Sequence, residues 1–393
     1  MKNVYLVDGA RTAFTEFGGS FKSIDATDLG KETAINAFKR SNVDPEQVDQ
    51  VIYGNVIHTS ENAAYLARHI GLKAGVDESV PALTLNRLCG SGAQSVVSAA
   101  QQIMLNEADI VLAGGAENMS QSPYANFKQR FQQSKMGNVQ YSDMLLSTLT
   151  DQYAGSPMGM TAEKLAEQYH ISREEQDEFS IESHQRAANA QRTGIFNEEI
   201  VPVELKLRKG TKVIDQDEHI RENIDKDSMA KLRPAFKKDG SVTAGNASGI
   251  NDGAASVVVA GEEAVTNNGL KPIARIVSWG VVGVDPTIMG IGPVPAILQA
   301  LERAELSLED MDIIEVNEAF AAQYLAVEKK LQLNREKTNV NGGAIALGHP
   351  VGVSGTRLLL TTAYELQRRD AKYGVASLCI GGGQGIAVVI ENV

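Results

Sequence analysis

The sequence predicts a duplicated α/β fold interrupted by one insertion, and three observations predict it. Residues 37–49 and 300–312 share Arg40 with Arg303, Glu46 with Glu309 and Asp49 with Asp312, each pair 263 positions apart. The same offset carries Ser91-Gly92 onto Ser354-Gly355, each opening an apolar helix. After those helices come two strand-like runs that end in glycine, 110–115 and 375–382. Three coincidences in register mark a repeated unit rather than chance. Strands alternating with helices in each copy imply mostly parallel sheets covered by helices on both faces.

Each copy reads as a helix end, an acidic turn and a buried strand: 51–54 in the first, 313–316 in the second. The first half occupies 1–118 and closes with a buried strand in 250–271. The second half runs over 272–393, starting with the strand at 273–277. Between the copies, 119–249 changes texture. It is rich in Gln, Met, Lys and Glu, and carries an amphipathic helix signal from Arg173 to Arg192, where Phe179, Ile181, Ala187 and Ala188 punctuate a charged surface. It reads as an insertion lying over the repeats.

With 393 residues the chain is long enough for two or three domains of about 150 residues. Its 37 basic and 49 acidic residues give a net charge of −12, which disfavours general nucleic-acid or anionic-membrane binding. No apolar run approaches the roughly 18 residues of a membrane span. The opening stretch, charged from Lys2 onward, does not read as a signal peptide. Two cysteines, Cys89 and Cys379, make neither a disulfide framework nor a four-cysteine zinc site, and point to a reducing, cytoplasmic setting.

Residues 84–97 run from strand into helix with Cys89 at the junction, where free N–H groups and the helix dipole favour a thiolate. A buried small hydrophobe is the alternative for such a cysteine. Ser91 lacks the glycine two positions before it that a nucleophile elbow needs, and 381–386 misses the last glycine of a dinucleotide fingerprint. His349 is set among Gly342, Gly343, Gly348 and Gly352, as where ligand and backbone must meet; His58, His69, His170, His184 and His219 read as structural. Asn317 follows a buried strand, at the edge where parallel sheets place ligands, or else caps a helix. Cys379 ends a strand before Gly381-Gly382-Gly383, a loop able to offer N–H groups to an oxyanion. The dispersed histidines lack metal-ligand spacing.

Five segments together resemble the thiolases: Asn86-Arg87-Leu88-Cys89-Gly90-Ser91-Gly92, residues 245–255, Asn317-Glu318-Ala319-Phe320, Gly348-His349-Pro350 and Cys379-Ile380-Gly381-Gly382-Gly383. The resemblance spans essentially the whole chain. It implies the thiolase-type fold, two αβαβα-like halves packed together with an inserted lid. It also implies a reversible Claisen reaction on coenzyme A thioesters, coenzyme A being substrate and no prosthetic group being needed. On that pattern Cys89 would accept the acyl group, His349 would take its proton, and Cys379 would act on the α-carbon of acetyl-CoA. Asn317, through a bound water, and His349 would hold one thioester oxygen; the N–H groups of Cys89 and Gly381 would hold the other. The insertion would bind coenzyme A, with Arg221, Ser228, Leu232, Phe236, Ala244, Ser248, Leu149, Met158, Met289, Ala319 and Phe320 along its path. Lys206, Arg208, Lys209, Lys212, Lys231 and Arg233 add cations that suit phosphates, or else form a solvated face.

The main expectation is therefore an acetyl-CoA C-acetyltransferase. The alternative is a 3-ketoacyl-CoA thiolase for longer chains, because Pro157 stands before Met158 where short-chain enzymes usually carry histidine. Ketoacyl synthases lack the second cysteine, and family variants with a histidine for the asparagine of Asn-Glu-Ala-Phe are disfavoured by Asn317. A non-catalytic acyl-CoA-binding scaffold, or a redox pair of cysteines, is the reading from another class. A homodimer or homotetramer is the assembly the resemblance implies.

Overall fold

The computed structural model describes residues 2–131, 136–206, 208 and 210–393. Lys209, one of the expected lid cations, lies outside the described residues. The first half contributes β1 (Val4–Thr12), β2 (Gln50–Gly54), β3 (Ala82–Leu85), β4 (Ile110–Asn118) and β5 (Asn251–Gly261); the second contributes β6 (Ala274–Gly283), β7 (Ile313–Val316), β8 (Tyr373–Ile380) and β9 (Gln384–Glu391). Among the described residues these join an eleven-stranded sheet whose main path runs β7-β8-β9-β6-β1-β5-β4-β2-β3. Short strands Thr15–Glu16 and Ile200–Val201 attach to β5 and β1.

From the centre outward the order is β1-β5-β4-β2 in one half and β6-β9-β8-β7 in the other, so the duplication is visible in topology as well as sequence. The shared residues do the same work twice. Asp49 accepts from the N–H groups of Asp109 and Ile110, and Asp312 from those of Lys372 and Tyr373. Arg40 donates to Gly9 O on β1, and Arg303 to Trp279 O on β6.

The sheet is mixed rather than mostly parallel. β1 pairs antiparallel with β5 and β6, as do β5 with β4, β6 with β9 and β8 with β9; β2 with β3 and β4, and β7 with β8, are parallel. The expectation failed at β8–β9 for a simple reason. Three glycines connect them, Gly382 and Gly383 at φ 78° and 80°, which is too short for the helical crossover that parallel strands need.

Helices α2 (Ser91–Met104) and α7 (Ser354–Arg369) pack between the strands of the two halves in one apolar cluster, from Val96 and Leu359 to Val257 and Val388. Helix α1 (Ala26–Ser41) covers the outer face of the first half. Helices α5 (Pro293–Ala304) and α6 (Ala321–Leu331) cover the second, joined there by α3 (Met158–Gln168) and by Phe179 of α4 (Arg173–Arg192). A β-carbon on Gly92 would lie 2.7 Å from Thr356 N, and one on Gly355 would lie 2.2 Å from Ala93 N. These glycines let α2 and α7 touch backbone to backbone.

The 119–249 segment is threaded into both halves. Its Ile200–Val201 strand extends the sheet beside β1, and Arg11, wholly buried on β1, pairs with Glu199 and Asp217 at 3.0 and 2.7 Å. Arg186 on α4 donates to Thr338 O and Arg335 O.

Candidate active site

Cys89 sits on an elbow between β3 and α2. Leu88 holds φ 48°, an uncommon left-handed conformation for a branched aliphatic residue. Neighbouring side chains fix the strain: Asn86 Oδ1 accepts from Leu88 N–H at 2.9 Å, and Ser91 Oγ accepts from Arg87 N–H and donates to Leu88 O. A β-carbon on Gly90 would come 2.5 Å from Ile380 Cδ1, so its absence lets the end of β8 close on the elbow. Cys379 thereby comes within electrostatic reach of Cys89. The Gly381 N–H and the Cys89 N–H both interact with the Cys89 sulfur, and Cys379 feels the charge of Cys89.

The walls differ. Cys89 is half-buried among Val56, Ile57, Met119, Leu145, Leu149, Ile250 and Val351. Cys379 is fully buried with Met158, Met289, Ala319 and Phe320. Burial pushes the Cys89 thiol up to about 11, outweighing the two N–H groups, and nearby Glu117 adds to the rise. The activated thiolate expected from the helix start is thus corrected: before ligand enters, desolvation beats the helix dipole. Burial, then the Cys89 charge, raises Cys379 still further.

His349 is oriented from three sides. Its N–H donates to Asn251 Oδ1 at 3.0 Å; a β-carbon on Gly348, at φ 103°, would strike that asparagine. Nδ1 lies 2.6 Å from Ser354 Oγ, and Nε2 lies 3.4 Å from Asn317 Nδ2. Burial, then the Arg357 cation, pushes His349 down to about 4, keeping the ring neutral. Asn317 caps no helix, since α6 begins four residues later; its Oδ1 is buried without a hydrogen-bond partner among the described residues.

The remaining expected residues separate. Ser248 N–H donates to Ala319 O, and Phe236 stands edge-on to Phe320 at 6.1 Å, joining the insertion to the Cys379 wall. Met158 N–H donates to Leu149 O, a backbone link between the two thiol walls. Leu232 packs on Gly245, Ala244 is exposed, and Ser228 is exposed with its hydroxyl bonded to Asp225 in a helix cap. Arg221, Lys231 and Arg233 are exposed, and Arg221 N–H donates to His184 Nδ1. Arg208 is exposed as well. Lys206 and Lys212 go elsewhere: they line a groove with Lys22, Asp28, Lys31 and Glu32, Lys212 donating to Ser20.

Sequence reasoning missed Ser354 as the partner of His349. It also missed Glu117, buried on β4, which accepts from Val56, Ile57 and Gly352 N–H and so ties the His349 loop to the Cys89 wall. A lone serine or glutamate carries no local signal for such contacts. Among the described residues no group of three or more His, Cys, Asp or Glu could hold a metal ion, and no helix is long and apolar enough to cross a membrane.

Residues 4–263 match the thiolase N-terminal domain and residues 270–392 the thiolase C-terminal domain. The chain belongs to the thiolase family and is an acyltransferase. It is 52% identical to the mitochondrial 3-ketoacyl-CoA thiolase of Homo sapiens, over 100% of this chain and 99% of the relative. The human enzyme's crystal structure in complex with CoA superposes with a TM-score of 0.97 at 52% identity, covering 100% of this chain and 98% of that one. A Bacillus anthracis acetyl-CoA acetyltransferase superposes equally well, TM-score 0.97, at 47% identity over 100% and 99% of the two chains.

Two expectations change. The longer-chain alternative fits these relatives better than the acetyl-CoA C-acetyltransferase reading. The cytoplasmic expectation is overturned by the mitochondrial relatives from human, orangutan and mouse. Free thiols report a reducing environment, and that property does not single out the cytosol.

Proposed function

We propose that this chain cleaves 3-ketoacyl-CoA thioesters with coenzyme A, Cys89 carrying the acyl group and Cys379 serving the acetyl carbanion. The observation that carries this reading is that Cys89 lies under the Gly381 N–H group and within electrostatic reach of Cys379. Cys89 gives its proton to His349 and attacks the 3-keto carbon. The bond between C2 and C3 breaks, leaving acyl-Cys89 and the enolate of acetyl-CoA. Cys379, held as a neutral thiol by burial, is suited to protonate that enolate. Coenzyme A then gives its thiol proton to the Cys379 thiolate and attacks the acyl carbon; the bond to Cys89 breaks, Cys89 regains its proton from His349, and a shortened acyl-CoA leaves. An acyl-enzyme divides the reaction into two easier steps. The N–H groups of Cys89 and Gly381 hold the oxyanion of the first step, and Asn317 through water, with His349, the enolate oxygen.

The 119–249 segment serves in this reading as the coenzyme A lid between the halves 1–118 with 250–271 and 272–393. Arg221, Ser228, Leu232, Ala244 and Ser248 flank the entry, and Phe236, Leu149, Met158, Met289, Ala319 and Phe320 its inner end. Pro157 supports longer chains, as does the apolar wall around Cys89. Tyr124, Phe127 and Tyr153 are 68%, 72% and 91% exposed, apolar surface that supports assembly into a homodimer or homotetramer.

The test is kcat/KM for thiolysis across a 3-ketoacyl-CoA length series, with mass spectrometry of trapped acyl-enzyme. The expected result is a rise beyond acetoacetyl-CoA and label on the Cys89 peptide. Label confined to Cys379 would overturn the roles, and preference for acetoacetyl-CoA would overturn the chain length.

A further inference from the structure

A ring of contacts runs behind His349. Its Nδ1 meets Ser354 Oγ at 2.6 Å, and Ser354 opens α7. Arg357 follows one turn later on the same helix face. Arg357 Nη1 lies 3.5 Å from Glu315 Oε2, both side chains 1% exposed. Glu315 belongs to β7; Asn317, two positions on, returns to His349 Nε2 at 3.4 Å.

The charged pair is an expensive member of that ring. Burying a guanidinium and a carboxylate costs more than their attraction returns unless their remaining donors and acceptors are bonded. Here Nε, Nη1 and Nη2 of Arg357 and both oxygens of Glu315 lack hydrogen-bond partners among the described residues. Stability alone does not account for such a pair. Its place does: it joins the helix that carries the imidazole's partner to the strand that delivers Asn317.

We propose that Arg357 and Glu315 are positioning residues for His349 and Asn317, fixing the first turn of α7 against the end of β7 and setting a cation behind the imidazole. This rests on the reading of His349 as the base for Cys89. Arg357 is faced by Glu315 and Glu318 from β7 and the loop after it, by Glu199 from the insertion and by Arg11 from β1; Glu365 on α7 bears on Glu315. Of these charges Arg357 is the one that bears on His349, whose other neighbours Asn317, Ser354 and Asn251 are neutral. The cation favours the unprotonated ring, which is the form that accepts a proton from Cys89.

The experiment measures kcat and KM for thiolysis against pH in the full-length enzyme and in Arg357→Met, Arg357→Lys, the double variant Arg357→Met/Glu315→Met, and His349→Ala. In Arg357→Met, kcat falls about tenfold while KM for coenzyme A changes less than about twofold. The acid limb of its kcat/KM profile moves about one unit to higher pH. Lysine keeps the charge without the planar fork, so it restores the limb and only part of kcat. The double variant buries no charge and folds if the single one does not; it keeps the slow kcat and the displaced limb. A double variant with wild-type kcat and acid limb would reduce the pair to packing and overturn the proposal. Full activity in His349→Ala would instead overturn the reading of the base.

Discussion

Ser354 Oγ stands between His349 Nδ1, 2.6 Å away, and Pro350 O, 3.1 Å away. The carbonyl can only accept, so the hydroxyl proton points to Pro350 and the serine oxygen receives the Nδ1 proton. That leaves the Nε2 lone pair facing Asn317, the tautomer a base needs. Ser354→Ala is expected to slow acylation of Cys89 about tenfold with little change in KM, by analogy with other groups that orient a catalytic imidazole. Rapid-quench measurement of acyl transfer to Cys89 checks it. Ser354→Thr should recover most of the rate.

Asn317 contributes an amide whose oxygen is unpartnered among the described residues. Losing one oriented oxyanion group costs about 10²–10³ in rate. Asn317→Ala should therefore lower kcat by that factor while leaving the thermal midpoint near wild type. A loss of folding without a kinetic defect in the remaining native protein would contradict the assignment.

Gly355→Ala tests the contact between α2 and α7. Its new methyl would sit 2.2 Å from Ala93 N, against backbone that cannot yield without moving a helix. Destabilisation in the overpacking range, about 1–3 kcal/mol or more, is expected in denaturant titrations. Unchanged stability would mean that the helices can separate freely.

His184 supplies a pH test. Burial first, then His219 and Arg221, push it from 6.5 down to about 3, so the folded state keeps it neutral. Below pH 6.5 the unfolded chain binds a proton that the folded one refuses. Stability is therefore complete above about pH 6.5 and falls as the pH drops toward 3, by about 1.4 kcal/mol per unit from this group. Thermal melts of His184→Asn should show a shallower acid decline than wild type. Equal slopes would place the titration elsewhere.

Much of this was legible in the sequence for physical reasons. The Asn86–Gly92 motif encodes its own strained elbow, since Asn86 and Ser91 bond to residues within five positions. The duplicated Asp and Arg were readable because each repeats one local task. What escaped depends on contacts between distant segments. The pairing of β5 against β4 is decided across the whole insertion, and Glu117 meets Gly352 across 235 positions. Cys89 misled because its helix start was visible while the apolar wall that desolvates it was not. Lys206 and Lys212 misled because charge composition says nothing about which way a hairpin faces.

The 263-residue offset also explains why a doubled chain has a single centre. Shifted by that distance, Cys89 falls on Gly352, His349 on Asn86, Asn317 on Gly54 and Cys379 on Ala116. Each group proposed to react has a glycine, alanine or asparagine as its mate. Moreover, the mate of the proposed nucleophile is put to structural use: Gly352 N–H donates to Glu117, where a β-carbon would lie 2.5 Å from the carboxylate. The four groups are thus drawn from both halves, Cys89 from the first and Asn317, His349 and Cys379 from the second, and the position that matches Cys89 is held by a carboxylate clasp. Restoring a cysteine at position 352 would break that clasp before it created a second nucleophile, so the asymmetry is locked in by packing.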